Sequence, residues 1–402
     1  MGDSEQIVVR VEPGIASLDA AAWDACANPC GDDGAPIRPR NPFTSHAFLK
    51  ALEDARCIDP STGWMAQHLV IDDGSGGILA AMPCYLKGHS MGEYVFDYAW
   101  ADAFERAGGR YYPKLQACIP FTPVTGRRLL VAPGPQADYL EDALTSAAIE
   151  LVNQIGASSL HLTFLTREEW QRLGTIGLLK RTDQQFHWLN EGYGTFGDFL
   201  DQLTARKRKA IRKERREALA EDIDIEWLTG ADLDESHWDT FYDFYMDTGA
   251  RKWGSPYLNR SFFSRIGETM ADQILLILAR RAGRTIAGAL NFIGSDTLYG
   301  RYWGCNEDHR FLHFELCYYQ AIDYAIETGL KFVEAGAQGP HKLARGYMPK
   351  TTYSAHYIAD PSLRRAISQF LTRERSYVDM ENEALARHAP FRRGGFDHEP
   401  EE

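Results

Sequence analysis

The densest group of chemistry-bearing residues runs from Tyr299 to Met348. In Tyr299-Gly300-Arg301-Tyr302-Trp303, period-two alternation predicts a strand with Tyr299, Arg301 and Trp303 on one face, lining a pocket or stacked at the surface. The glycine-led loop from Gly304 feeds a helix that starts near Phe311. Free N–H groups at such a helix start favour phosphate or carboxylate. His313 falls in the first turn, and Glu315 lies on the stripe Leu312, Leu316, Tyr319, Ile322 and Ile326. A carboxylate on a buried stripe requires a partner. Glu315 is therefore either bonded to backbone or to an arginine such as Arg301, or a general base whose pKa burial raises. Glu334 precedes a loop with glycines at 336, 339 and 346, into which Gln338, His341, Lys342 and Arg345 bring donors and positive charge.

Two further groups stand apart. Asp97, Trp100, Asp102, Lys114 and Thr122 mix polar groups with aromatic walls, as a small-molecule pocket or a domain-packing face would. The strip Arg206 to Arg216 is almost wholly basic in a chain whose formal net charge is −13. Arg208, Lys209 and Arg212 would meet a polyanion, or else the strip is a solvated helix face. The acidic balance excludes a surface that is cationic throughout.

The seven cysteines contain no CxxC pair, so reduced structural thiols are expected and no metal site. No apolar run reaches a membrane-spanning length and the N-terminus is polar, so a cytoplasmic protein is expected. Walker, Rossmann, HExxH and GxSxG motifs are absent, which removes support for ATP hydrolysis, NAD redox chemistry and zinc proteolysis.

The elements that must position these residues read as two similar series. Helices are expected over 45–52, 138–155, 196–220, 239–248, 261–270 and 312–328. Strands are expected over 68–71, 77–86, 93–96, 159–165, 185–189, 274–280, 285–293, 297–303 and 331–335. Each half thus runs helices, antiparallel meander, helix and strand. The fold class is α/β (α+β), with domains at 1–190 and 226–376, a basic helix within 191–225 near the junction, and a polar tail at 377–402.

The stretch Thr297 to Pro349 resembles the donor-binding half of a GNAT acyltransferase, more closely its Fem-type (FemAB-like) members. Ala325-Ile-Glu-Thr-Gly329, Lys331-Phe-Val-Glu-Ala-Gly336 and Lys342-Leu-Ala-Arg-Gly-Tyr347 carry that resemblance. It implies tandem GNAT-like domains, each a mostly antiparallel mixed sheet flanked by helices. The first would lie on the acceptor side with a degenerate donor site. The GNAT pyrophosphate loop is missing, since Gly304 to Phe311 holds one glycine, and both acyl-CoA and aminoacyl-tRNA stay open as donor.

The function implied is N-acyl or N-aminoacyl transfer to a small-molecule or peptide amine, by direct attack and without a covalent enzyme intermediate. Lys342 would neutralise phosphate or developing charge, and Glu315, Glu334 or His313 would take the amine proton. The donor is a co-substrate, and no tightly bound cofactor is expected. The rival expectation is a non-catalytic RNA- or peptide-binding protein on the same scaffold.

Overall fold

A computed structural model describes residues 7–252, 256–336 and 339–392. The chain divides into two compact units, Met1–Asp183 with Thr352–Val378 and Gln184–Thr351 with Asp379–Glu402. The first therefore reclaims residues 352–378, which sequence alone assigns to the second half and its tail. The chain is of mixed α/β class with mostly antiparallel pairing.

In the first unit, strands Arg10–Glu12, His68–Asp72, Ile78–Met82 and Leu130–Val131 pair antiparallel in that order. A second series runs Trp64–Ala66, Cys84–Lys87, Lys114–Ala117 and Ser159–Leu165. The last two are parallel, joined through the helix Ala137–Ile155. That helix buries Leu140, Leu144, Ala148, Leu151 and Val152 at helical spacing and stops at Gly156, whose φ of 67° is left-handed.

The second unit holds an antiparallel meander of Ile223–Leu228, Ile274–Arg281, Arg284–Ile293 and Thr297–Cys305. A helical segment, Leu312–Phe314 followed by a π-turn at Glu315–Tyr319 and by Gln320–Thr328, leads to the strand Phe332–Glu334. That strand is parallel to Thr297–Cys305 but pairs only with Thr297, Leu298 and Tyr299. Beyond Tyr299 and Glu334 no further residues of the two strands pair.

Several expectations change. Residues 93–96 form no strand, because Glu93 turns inward to lysines and Tyr94 takes a φ of 61°. The 196–220 helix is two, Phe196–Gln202 and Ala205–Ala218, broken at the extended Leu203. The expected tail lies partly in a helix, Pro361–Ala386, which buries only Leu363, Ile367 and Leu371.

Candidate functional site

Leu290 pairs with Tyr302 and Asn291 with Gly300, so Arg301 is the extra residue of a β-bulge. The bulge corrects the expected alternation. Tyr299 and Trp303 stand opposite Phe292 and Ala289, an odd separation, and so point to opposite faces. Trp303 packs on the core with Leu298 and Leu316, whereas the buried Tyr299 has the Arg301 guanidinium 5.2 Å from its ring centroid. Burial pushes the Tyr299 phenol up.

The bulge sends Arg301 inward. Its side chain is 2% exposed and its Nη2 donates to Glu334 Oε2 at 2.8 Å. Glu334 is set by register, opposite Tyr299 on one side and His187 on the other. His187 Nε2 lies 3.8 Å from Glu334 Oε1 and 3.1 Å from Gln185 Oε1. Lys342 is buried and its ammonium donates to the carbonyl of Gly336 at 2.9 Å. Burial and the Arg301 charge lower it to about 8, against a small opposing pull from Cys317. Among the described residues, this cluster sets two buried cations, Arg301 and Lys342, against the single Glu334 carboxylate in ion-pair contact.

Glu315 belongs to a different cluster. It is fully buried, accepts from Arg215 Nη2 at 2.9 Å and Gln320 Nε2 at 2.7 Å, and so is not the partner of Arg301. Burial pushes its carboxyl up, with Arg215 opposing, and Arg215 also holds Asp323 at 2.6 Å. Arg345 bonds Glu214 at 2.8 Å and lies 3.5 Å over the Phe314 ring. The Tyr319 hydroxyl bonds the same Glu214 carboxylate. His341 is exposed, with Nε2 2.9 Å from the Tyr318 hydroxyl. His313 sits among rings, 5.2 Å from Trp303 and 5.5 Å from Tyr318. Gly304 is where the helix Glu235–Lys252 approaches, since a Cβ there would lie 2.2 Å from the Phe244 carbonyl oxygen. Gln338 lies outside the described residues.

The basic helix has two faces. Arg208 bonds Asp201 at 2.8 Å, and Glu214 and Arg215 turn inward, while Lys209 and Arg212 are exposed with Arg206, Lys213 and Arg216. A polyanion would therefore meet Lys209 and Arg212 rather than Arg208.

In the first unit Asp97 and Lys114 meet in a fully buried network. Lys114 Nζ lies 2.7 Å from Glu93 Oε2 and 2.6 Å from Asp97 Oδ2, and Lys87 Nζ is 2.9 Å from Glu93 Oε1. Burial would lower Lys114, but the two carboxylates outweigh it and raise its pKa, whereas Lys87, with one, falls to about 8. Tyr111 donates to Asp97 at 2.7 Å, and His161 continues the chain to His356. Trp100 packs on His356, ring centroids 5.1 Å apart, and Thr122 is buried in the loop after Lys114–Ala117. Asp102 is exposed on the outer face of the helix Tyr98–Arg106. Balanced charges at this depth fix a structure.

Sequence reasoning missed His187, Lys87, His161, His356 and Arg215. His161 and His187 sit in expected strands, Arg215 in the basic strip, and Lys87 and His356 outside any expected element, and only tertiary pairing gives each a role. Among the described residues no group of three or more His, Cys, Asp or Glu stands together to hold a metal, and no helix is long and apolar enough to cross a membrane.

Residues 14–393 match the model of the FemAB-like family, described as peptidoglycan biosynthesis/recognition. Among solved structures, FemX aligns with a TM-score of 0.53 at 13% identity over 87% of this chain and 98% of its own. The C-terminal domain of a putative lysylphosphatidylglycerol synthetase from Agrobacterium fabrum gives 0.51 at 8% identity over 90% and 97%. A conserved protein of unknown function from Bacteroides thetaiotaomicron gives 0.51 at 11% over 87% and 99%. No curated protein sequence matches the chain at a significant level. These likenesses show the fold, which is the one shared with FemX and the two other structures.

Proposed function

We propose that this chain, which belongs to the FemAB-like family, is a transferase that moves an acyl or aminoacyl group from an activated donor to an amine. The observation that carries this reading is the charge imbalance in the second unit. Lys342 is buried with a backbone carbonyl as its hydrogen-bond partner, and Arg301 already holds Glu334. A buried cation without a carboxylate is costly unless an anion arrives. Both donor classes bring one, as the phosphates of a CoA or a tRNA.

Acyl transfer creates a second negative charge when the amine nitrogen attacks the carbonyl carbon and the π electrons move to oxygen. A positive group already desolvated at that point strengthens its interaction as the charge forms. Arg301 and Lys342 are the groups that would meet that oxygen in this reading. The acceptor that fits the family is a peptide or other amine.

The test is a transfer assay with purified protein, in which isotope-labelled acetyl-CoA and a labelled mixture of aminoacyl-tRNAs are offered with glycinamide and with a lysine-containing peptide. Amide product with either donor, lost on Lys342→Met, supports the reading. Tight donor or RNA binding without product would make the chain a non-catalytic binder.

A further inference from the structure

We propose that His187 accepts the proton of the attacking amine through Nδ1, an assignment that rests on the acyl-transfer reading above. The strand Leu179–Leu189 places His187 directly across from Glu334, inside the cluster that holds Arg301 and Lys342. Its Nε2 faces the Gln185 carboxamide oxygen at 3.1 Å. That oxygen only accepts, so the ring proton sits on Nε2 and the lone pair on Nδ1. Nδ1 makes no hydrogen bond to any described residue.

The charged groups around it hold the imidazole in its accepting form. Burial lowers its affinity for a proton first. Lys350, Arg301 on the bulged strand and Lys342 on the following loop add to this, while Glu334 pulls the other way. That carboxylate, 3.8 Å from Nε2, is placed to stabilise the imidazolium once it forms. Glu334 and Glu315 are less suited to the task, since each is engaged by an arginine.

The step balances as follows. The amine nitrogen bonds to the acyl carbon, its proton passes to Nδ1, and the carbonyl pair moves to oxygen. When the carbonyl re-forms, the bond to the leaving oxygen or sulfur breaks, and the imidazolium returns the proton to that atom.

The experiment compares two acceptors with acetyl-CoA and with aminoacyl-tRNA as donors: glycinamide, which is largely protonated at neutral pH, and hydroxylamine, which is already neutral. His187→Gln is expected to lower kcat with both acceptors by about 100-fold, since each nitrogen must shed a proton as its bond to the acyl carbon forms, and to leave donor binding unchanged. Full turnover in the variant with either acceptor, or a loss that follows donor binding alone, overturns the assignment. Wild-type protein inactive with every pair would instead count against the transferase reading. NMR of the isotope-labelled imidazole decides independently. A neutral ring protonated on Nε2 at pH 7 is expected, and a doubly protonated ring, or one protonated on Nδ1, overturns the proposal.

Discussion

His161 and His356 meet inside the first unit with their Nδ1 atoms 2.7 Å apart. One ring must donate and the other accept, so neither can take a second proton there without breaking the contact. Ser159 at 2.8 Å and Ser354 at 3.1 Å occupy the outer nitrogens. Burial is the largest cause that lowers both, His161 to about 3, and Lys114 and Arg181 add to it.

The consequence is a stability slope with a definite sign. The unfolded chain protonates these histidines near their ordinary 6.5 and the folded chain does not. Below that value the unfolded state holds more protons, so stability falls as pH drops. The loss is about 2 kcal/mol per imidazole by pH 5. Urea unfolding at pH 7.5 and pH 5 should show it, and His356→Gln should remove about one proton from the measured uptake. A slope unchanged in that variant would mean the pair titrates normally in the folded state.

How much of this was legible beforehand depends on where the information lies. The meander reads nearly residue by residue: the expected 274–280, 285–293 and 297–303 became Ile274–Arg281, Arg284–Ile293 and Thr297–Cys305. Apolar runs and short polar turns specify such hairpins locally. The Arg301 bulge was not legible, because an extra residue shows only against its partner strand. Lys87, His161 and His187 were hidden for the same reason, since the groups they meet lie far away in sequence. The Pro361–Ala386 helix buries too few apolar residues to announce itself.

Glu315 separates two roles that sequence left open. Glu315→Gln keeps the volume and leaves Arg215 its bond to Asp323, so the protein should fold but lose about 2 kcal/mol. Turnover per folded molecule should stay near wild type. A variant with an unchanged melt and no turnover would restore the general-base role.

The basic helix gives a prediction about which cations matter. With mixed tRNA as the polyanion, replacing exposed Lys209 and Arg212 by Ala should flatten the slope of log affinity against log salt by roughly 1–2. Arg208→Ala should change it little, because that guanidinium is already neutralised by Asp201. Identical slopes in all variants would return the strip to a solvated face.

Lys342 couples activity to stability with opposite signs. The unfolded lysine holds its proton up to about 10.5 and the folded one only up to about 8, so burying the charge costs on the order of 3 kcal/mol at neutral pH. Between those values the unfolded state binds more protons, and stability should rise as pH rises through that window. Lys342→Met should erase the rise and melt no lower than wild type at pH 7, since an apolar group of similar length fills the space. Transfer needs the charged form, so wild-type turnover should fall as pH passes about 8, where the ammonium loses its proton. Lys342→Arg keeps the charge at every accessible pH and should carry that alkaline limb upward, with turnover reduced by altered geometry. A pH series of turnover and thermal melting on the three proteins checks all of this. Wild-type turnover in the methionine variant would remove Lys342 from the chemistry, while a variant that melts markedly lower would show that the lysine holds its loop through Gly336 instead.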